Sequence, residues 1–153
     1  MYYYQNYYDP SNQGYIRAQS NSQLARDIQK AINGEYSAIA CYEKLAQMAP
    51  TQKVRDQILE IRKDERRHYE AFRRIYTRLT GMQPTSEMTE ECQDTYMKGL
   101  DAAFLDEQET VDFYMDIAEK TLDMTIKETF RRAAADEQNH AVWFLYFLYK
   151  NKA

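Results

Sequence analysis

Asp64-Glu65-Arg66-Arg67-His68-Tyr69-Glu70-Ala71-Phe72 and Asp136-Glu137-Gln138-Asn139-His140-Ala141-Val142-Trp143-Phe144 are the stretches on which the reading of this chain turns. Each carries Glu-x-x-His, and His68 and His140 are the only two histidines present. A spacing of three puts both side chains on one face of a helix. Around the first motif, Val54, Ile58, Ile61, Glu65, His68, Phe72, Ile75 and Leu79 recur at alternating steps of four and three, the pattern of an inward-facing bundle seam. Around the second, Ile126, Phe130, Ala133, Glu137, His140, Phe144 and Phe147 repeat it.

Two more seams flank these. Leu24, Ile28, Ala31, Glu35, Ala38, Tyr42 and Leu45 form one, and Tyr96, Leu100, Ala103, Glu107, Thr110, Tyr114 and Ile117 the other. A shift of 72 residues carries Glu35 onto Glu107, Tyr42 onto Tyr114, Asp64 onto Asp136, Glu65 onto Glu137, His68 onto His140 and Phe72 onto Phe144. The chain therefore reads as two copies of one helical hairpin. Pro50-Thr51 marks the first hairpin turn, with Thr51 as N-cap, and Asp123 caps the fourth helix after a turn near Thr121. Gly81 and Pro84 end the second helix. Glu35 and Glu65 are each about 15 residues from the first turn, so they face each other at one height, ~22 Å from it. Glu107 and Glu137 stand the same way about the second turn. Residues 81 to 93 link the hairpins. Extended, they reach ~43–47 Å, enough to cross the bundle and set the second and third helices parallel. The fold class expected is thus all-α, a four-helix bundle of two hairpins joined by a crossover, the ferritin-like topology.

Composition agrees. The 153 residues contain four Gly and three Pro, leaving few breaks in long helices. A net charge of −4 with interspersed signs gives no basic face for nucleic acid. No apolar run approaches the ~18–20 residues of a membrane span, and the N-terminus lacks a basic segment followed by an apolar one, so no secretory leader is expected. Cys41 and Cys92 form no C-x-x-C pair, so two free thiols in a cytoplasmic protein are the expectation. Residues 1–21, with six of the fourteen tyrosines, read as a flexible segment or a strip lying on the bundle, ahead of a domain spanning residues 22–150.

The seams bury four glutamates and two histidines at one level, with no lysine or arginine among them. Uncompensated buried charge costs several kcal/mol per ion. Two divalent cations would balance the carboxylates, and oxygen and imidazole donors suit iron or manganese. Glu65 and Glu137 can bridge the pair, with Glu35, Glu107, His68 and His140 completing the two sites. Tyr42 and Tyr114 are either hydrogen-bond donors to the ligand carboxylates or aromatic core residues.

These residues resemble the ferritin-like di-iron superfamily, above all its rubrerythrin and bacterioferritin branches, over residues 22–150. The resemblance implies two iron ions, with Glu65 and Glu137 as bridging ligands and Glu35, Glu107, His68 and His140 as terminal ones. It further implies reaction with peroxide or dioxygen and an external electron donor. The haem-ligating methionine of bacterioferritins corresponds to Arg66, so no haem is expected. The additional third-helix glutamate of rubrerythrins corresponds to Thr110, and their four-cysteine rubredoxin domain has no counterpart here. The alternatives are iron sequestration without turnover, or a structural, spore-coat-type role for the tyrosine-rich segment. Trp143, Leu145, Tyr146 and Tyr149 would face outward from the fourth helix, which points to a homo-oligomer, a dimer being the expected form, unless the tyrosine-rich N-terminal segment folds back over this surface.

Overall fold

The computed structural model describes residues 10–152 as four helices, α1 (Pro10–Gln47), α2 (Gln52–Thr80), α3 (Tyr96–Lys120) and α4 (Met124–Lys152). The four-helix bundle expected from the seams is the observed fold. Local chemistry ends the helices as the sequence suggests. Thr51 takes an extended backbone and its side chain accepts from Val54 N. Asp123 Oδ1 accepts from Ile126 N at 3.1 Å. Gly81 adopts φ 74° at the C-terminus of α2, the left-handed geometry glycine tolerates, and its N–H donates to Thr77 O. Thr95, unanticipated, caps α3 by accepting from Lys98 N.

The first helix departs from expectation. It starts at Pro10, not at Ser22, so the latter half of the segment read as flexible is helical. Proline at the first position of a helix loses no intrahelical hydrogen bond. Residues 1–9, which hold most of the N-terminal tyrosines, lie outside the described residues.

Two apolar clusters sandwich the seam glutamates. One joins Ile28, Ile32, Phe72, Ile75, Tyr114, Ile117, Ile126 and Phe130 at the end where α2 and α3 finish. The other joins Tyr42, Leu45, Ile58, Ile61, Leu100, Phe144 and Phe147 at the end where α1 and α4 finish. This places α2 and α3 parallel, as the crossover requires.

The crossover, residues 81–95, is an extended strap along α1. Gln29 Nε2 donates to Thr85 O (2.9 Å), Asn33 Oδ1 accepts from Glu87 N (3.1 Å) and Ser37 Oγ accepts from Thr89 N (2.9 Å). Helix steps of four rise ~6 Å and extended steps of two advance ~6.6 Å, so the two segments stay in register. The next helix position in that series is Cys41, and it is disulfide-bonded to Cys92, with Cα atoms 4.9 Å apart. The expectation of two free thiols is overturned, because the strap brings together residues 51 positions apart in sequence. Among the described residues no helix is long and apolar enough to cross a membrane.

Phe72 and Phe130 stack at 4.2 Å between ring centroids in the first cluster, and both are fully buried. Replacing a buried phenylalanine by alanine leaves a cavity that a bundle fills only in part. Phe72→Ala should lower unfolding free energy by about 3–5 kcal/mol, measured by urea denaturation, with far-ultraviolet circular dichroism in water unchanged.

Candidate metal centre

All six seam residues singled out from the sequence meet at mid-height. Glu35, Glu65, Glu107 and Glu137 are each 1–2% exposed, and His140 is as deeply buried. Their ligand atoms fall into two groups able to hold a metal ion. The first is Glu35, Glu65, His68 and Glu137, and the second is Glu107, Glu137, His140 and Glu65. Within each group the atoms lie within 4.8 Å of one another. Glu65 and Glu137 belong to both, and the 72-residue shift turns one group into the other.

Each imidazole points Nδ1 into the centre. His68 Nδ1 lies 3.0 Å from Glu137 Oε1 and 3.3 Å from Glu35 Oε1. His140 Nδ1 lies 2.9 Å from Glu65 Oε1 and 3.2 Å from Glu137 Oε2. Each Nε2 points outward to an aspartate of the other hairpin, His68 to Asp136 at 3.2 Å and His140 to Asp64 at 3.1 Å. A carboxylate on the outer nitrogen fixes ring orientation and leaves the inner nitrogen as a lone-pair donor. Asp64 and Asp136 received no role from the sequence. The signal was there, since each immediately precedes its motif glutamate in both repeats.

The two tyrosines resolve in a crossed arrangement. Tyr42 OH donates to Glu107 Oε1 at 2.7 Å and Tyr114 OH to Glu35 Oε1 at 2.6 Å. Each therefore serves the carboxylate of the opposite hairpin, while its ring packs in the core, Tyr42 on Phe144 and Tyr114 on Phe72 and Phe130. The hydroxyls are thus not satisfied elsewhere, as simple core packing would have them, although both rings do pack in the core. Thr110 lines the cavity that reaches Glu35, Glu65, Glu107 and Glu137. Asp106, also lining it, was not anticipated.

The electrostatics are those of an anionic pocket short of cations. No lysine or arginine lines the cavity that the four glutamates bound, while buried Glu65 Oε1, Glu137 Oε1 and His68 Nδ1 make no aligned hydrogen bond. Burial, reinforced by neighbouring Glu65, pushes Glu35 well above its ordinary value, and burial with Glu65 and Glu107 does the same to Glu137. Burial also raises Glu65, but the close approach of the His140 and His68 imidazoles outweighs it and holds that carboxyl low. Burial works against charge on both imidazoles. The surrounding carboxylates overcome it, raising His68 through Asp136 and Glu137 and His140 through Glu107 and Glu137. Burial and the adjacent Glu90 and Glu107 push Asp106 up to about 8. Protons thus stand in for missing positive charge, and the orphaned donor atoms converge where cations fit. A divalent pair in the two groups would satisfy both deficits.

Comparison with known proteins follows this geometry. The family model described as Rubrerythrin matches residues 28–99, which contain Glu35, Glu65 and His68. A Bacillus subtilis (strain 168) protein described as uncharacterized protein YhjR is 58% identical over 125 residues, covering 82% of this chain and 86% of the relative. A solved hypothetical protein from Pyrococcus furiosus shares the fold with a TM-score of 0.72 at 19% identity, over 82% of this chain and 87% of that one. A two-domain Anabaena variabilis protein, described as containing DJ-1/ThiJ/PfpI-like and ferritin-like domains, aligns with a TM-score of 0.68 at 15% identity. The alignment covers 86% of this chain and 37% of that one.

The pKa shifts set a pH dependence for the metal-free chain. Glu35 and Glu137 keep protons in the folded state above the ordinary 4.5, and His68 and His140 keep theirs above 6.5. Wherever the folded chain binds more protons than the unfolded one, stability falls as pH rises. Glu65 acts oppositely, but its contribution is complete above pH 4.5. Urea midpoints of chelator-stripped protein should therefore peak near pH ~5 and decline steadily towards pH ~9. A flat or rising profile over that range would contradict protonation of these groups in the metal-free chain.

Proposed function

Since the chain belongs to the rubrerythrin family of ferritin-like proteins, we propose that it is a di-iron protein that reacts with peroxide or dioxygen. The observation that carries this reading is the pair of symmetric ligand groups sharing Glu65 and Glu137 around a cavity whose lining carries no lysine or arginine. Glu35, Glu65, His68 and Glu137 would hold one ion, and Glu65, Glu107, Glu137 and His140 the other. When bound, two ferrous ions supply two electrons to an oxidant and accept them back from an outside donor.

The protein's own contribution is positional and electrostatic. Glu65 and Glu137, drawn from opposed helices, belong to both groups and would be shared by the two ions. Asp64 and Asp136 hold His140 and His68 with Nδ1 facing the centre. The hydroxyls of Tyr42 and Tyr114 hold Glu107 and Glu35, the terminal carboxylates. Each is then placed to hold or return a proton as charge at the centre changes. The apolar clusters on either side keep bulk water from the ligands.

Anaerobic reconstitution with ferrous iron followed by elemental analysis should give about two ions per chain. Glu65→Ala and Glu137→Ala, which remove a shared ligand, should lose most of that metal and nearly all peroxide reactivity, whereas Thr110→Ala should retain both. A reproducible content below one ion per chain overturns the di-metal reading. Metal retained without oxidation by peroxide, or taken up far beyond two per chain, would move the function to sequestration.

The oligomer we propose is a homodimer through the outer face of α4. Leu145, Tyr146 and Tyr149 are 47–68% exposed there, as is Val142. Trp143, expected on this face, is instead half-buried against Phe147 and the second cluster. Leu145→Glu with Tyr146→Glu should convert a dimeric mass in light scattering to a monomeric one. A wild-type chain that is monomeric at high micromolar concentration would rule the dimer out.

A further inference from the structure

The strap is tied to α1 in two different ways. From Thr85 to Thr89 it is held by the ladder on Gln29, Asn33 and Ser37, and on the α2 side Tyr69 OH meets Ser86 Oγ at 2.7 Å. Among the described residues, the hydrogen bonds and ion pairs from the strap beyond Thr89 to α1 are those of one side chain. Lys44 Nζ donates to Cys92 O at 3.2 Å and pairs with Asp94 at 2.6 Å. Asp94 is 94% exposed, so water screens that pair and it holds little. The remaining tie is the Cys41–Cys92 disulfide.

What this last third of the strap covers is the way in to the carboxylates. Residues 90–93 roof a cavity between α1 and α3 whose floor includes Ala38, Tyr42 and Asp106. The same three residues line the inner cavity bounded by Glu35, Glu65, Glu107 and Glu137. The two cavities are thus consecutive, the disulfide lines the outer one, and small side chains at Gly34, Ala38, Ala102 and Ala103 leave the groove open beneath the roof. Both cysteines are half-buried rather than enclosed, which gives an incoming thiolate a sulfur to attack.

We propose that the Cys41–Cys92 disulfide is an exchange site for a dithiol reductant, and that its opening frees strap residues 90–95 from α1 and admits small solutes and metal ions to the buried centre. In the exchange, a thiolate of the dithiol attacks one cysteine sulfur and the Cys41–Cys92 bond breaks. The displaced cysteine takes up a proton. The second thiol of the reductant then resolves the mixed disulfide, so two electrons and two protons pass to the cysteine pair and the reductant leaves as its own disulfide. The access half of this proposal rests on reading the centre as a metal site. The release of the strap does not.

The test uses the full chain and dithiothreitol. Thiol titration without denaturant should rise from zero to two per chain. In the metal-free chain, amide hydrogen exchange should accelerate at least tenfold in peptides spanning residues 90–95, with peptides from the cores of α1 and α3 unchanged. Cobalt(II) uptake, followed by its absorption bands, should be several-fold faster for the reduced chain than for the oxidised one. Cys92→Ser should behave as the reduced chain with no reductant present. The proposal is overturned if no thiols appear in the folded chain, or if they appear and strap exchange keeps its oxidised rate. Helix cores that lose protection together with the strap would also overturn it, because the disulfide would then be a staple of the whole fold. Cobalt failing to bind in either state would remove the metal reading and the access claim together, and strap release would still be decided by hydrogen exchange.

Discussion

Four carboxylates share a few ångströms in the middle of an apolar bundle, and the rest of the structure answers to that fact. Apolar clusters close the bundle above and below, and no lysine or arginine lines the cavity among the carboxylates. Charge of this density cannot persist unbalanced in a medium of low dielectric. Without metal the balance comes from protons held on Glu35, Glu137 and both imidazoles. With metal it would come from two cations, and the protons would leave. The histidine-to-aspartate and tyrosine-to-glutamate bonds make sense as devices that keep the ligand atoms converging through that exchange.

Duplication explains why the centre is symmetric. One hairpin offers a terminal glutamate and a Glu-x-x-His pair, which is too few donors to enclose an ion. Two copies facing each other double the set and let each copy's motif glutamate serve both positions. The supporting bonds all cross between hairpins, Asp64 to His140, Asp136 to His68, Tyr42 to Glu107 and Tyr114 to Glu35. Neither half can build the centre alone, so assembly of the site and docking of the hairpins are one event.

The strap breaks this symmetry. It runs along α1 and shields the α1–α3 groove, while the opposite groove between α2 and α4 is flanked by Arg67 and Arg132, which pair with Asp64 and Asp136. One side of the centre is therefore guarded by a covalently fastened segment and the other by salt bridges reaching the aspartates that orient the histidines. A bundle with equivalent ligand groups thus has two unlike approaches to them.

The sequence by itself determined the helices, the seams, the repeat and the six residues of the candidate centre. Those depend on periodicity within a helix and on distance from a turn, both of which are counted along the chain. Ile58, Phe72, Phe130 and Phe144 are buried where the four-three spacing places them. Partners on different helices were decided only by the tertiary structure. Tyr42 lies two helical turns from Glu35 on its own helix, yet hairpin docking sets its hydroxyl beside Glu107. Asp64 repeated faithfully at Asp136, but its role became visible only when the imidazole of the other hairpin stood 3.1 Å away. Cys41 and Cys92 gave no hint of pairing at a separation of 51 residues. The register between a helix rising 1.5 Å per residue and a strap advancing ~3.3 Å per residue brings them together, and that match arises only once the strap lies along the helix.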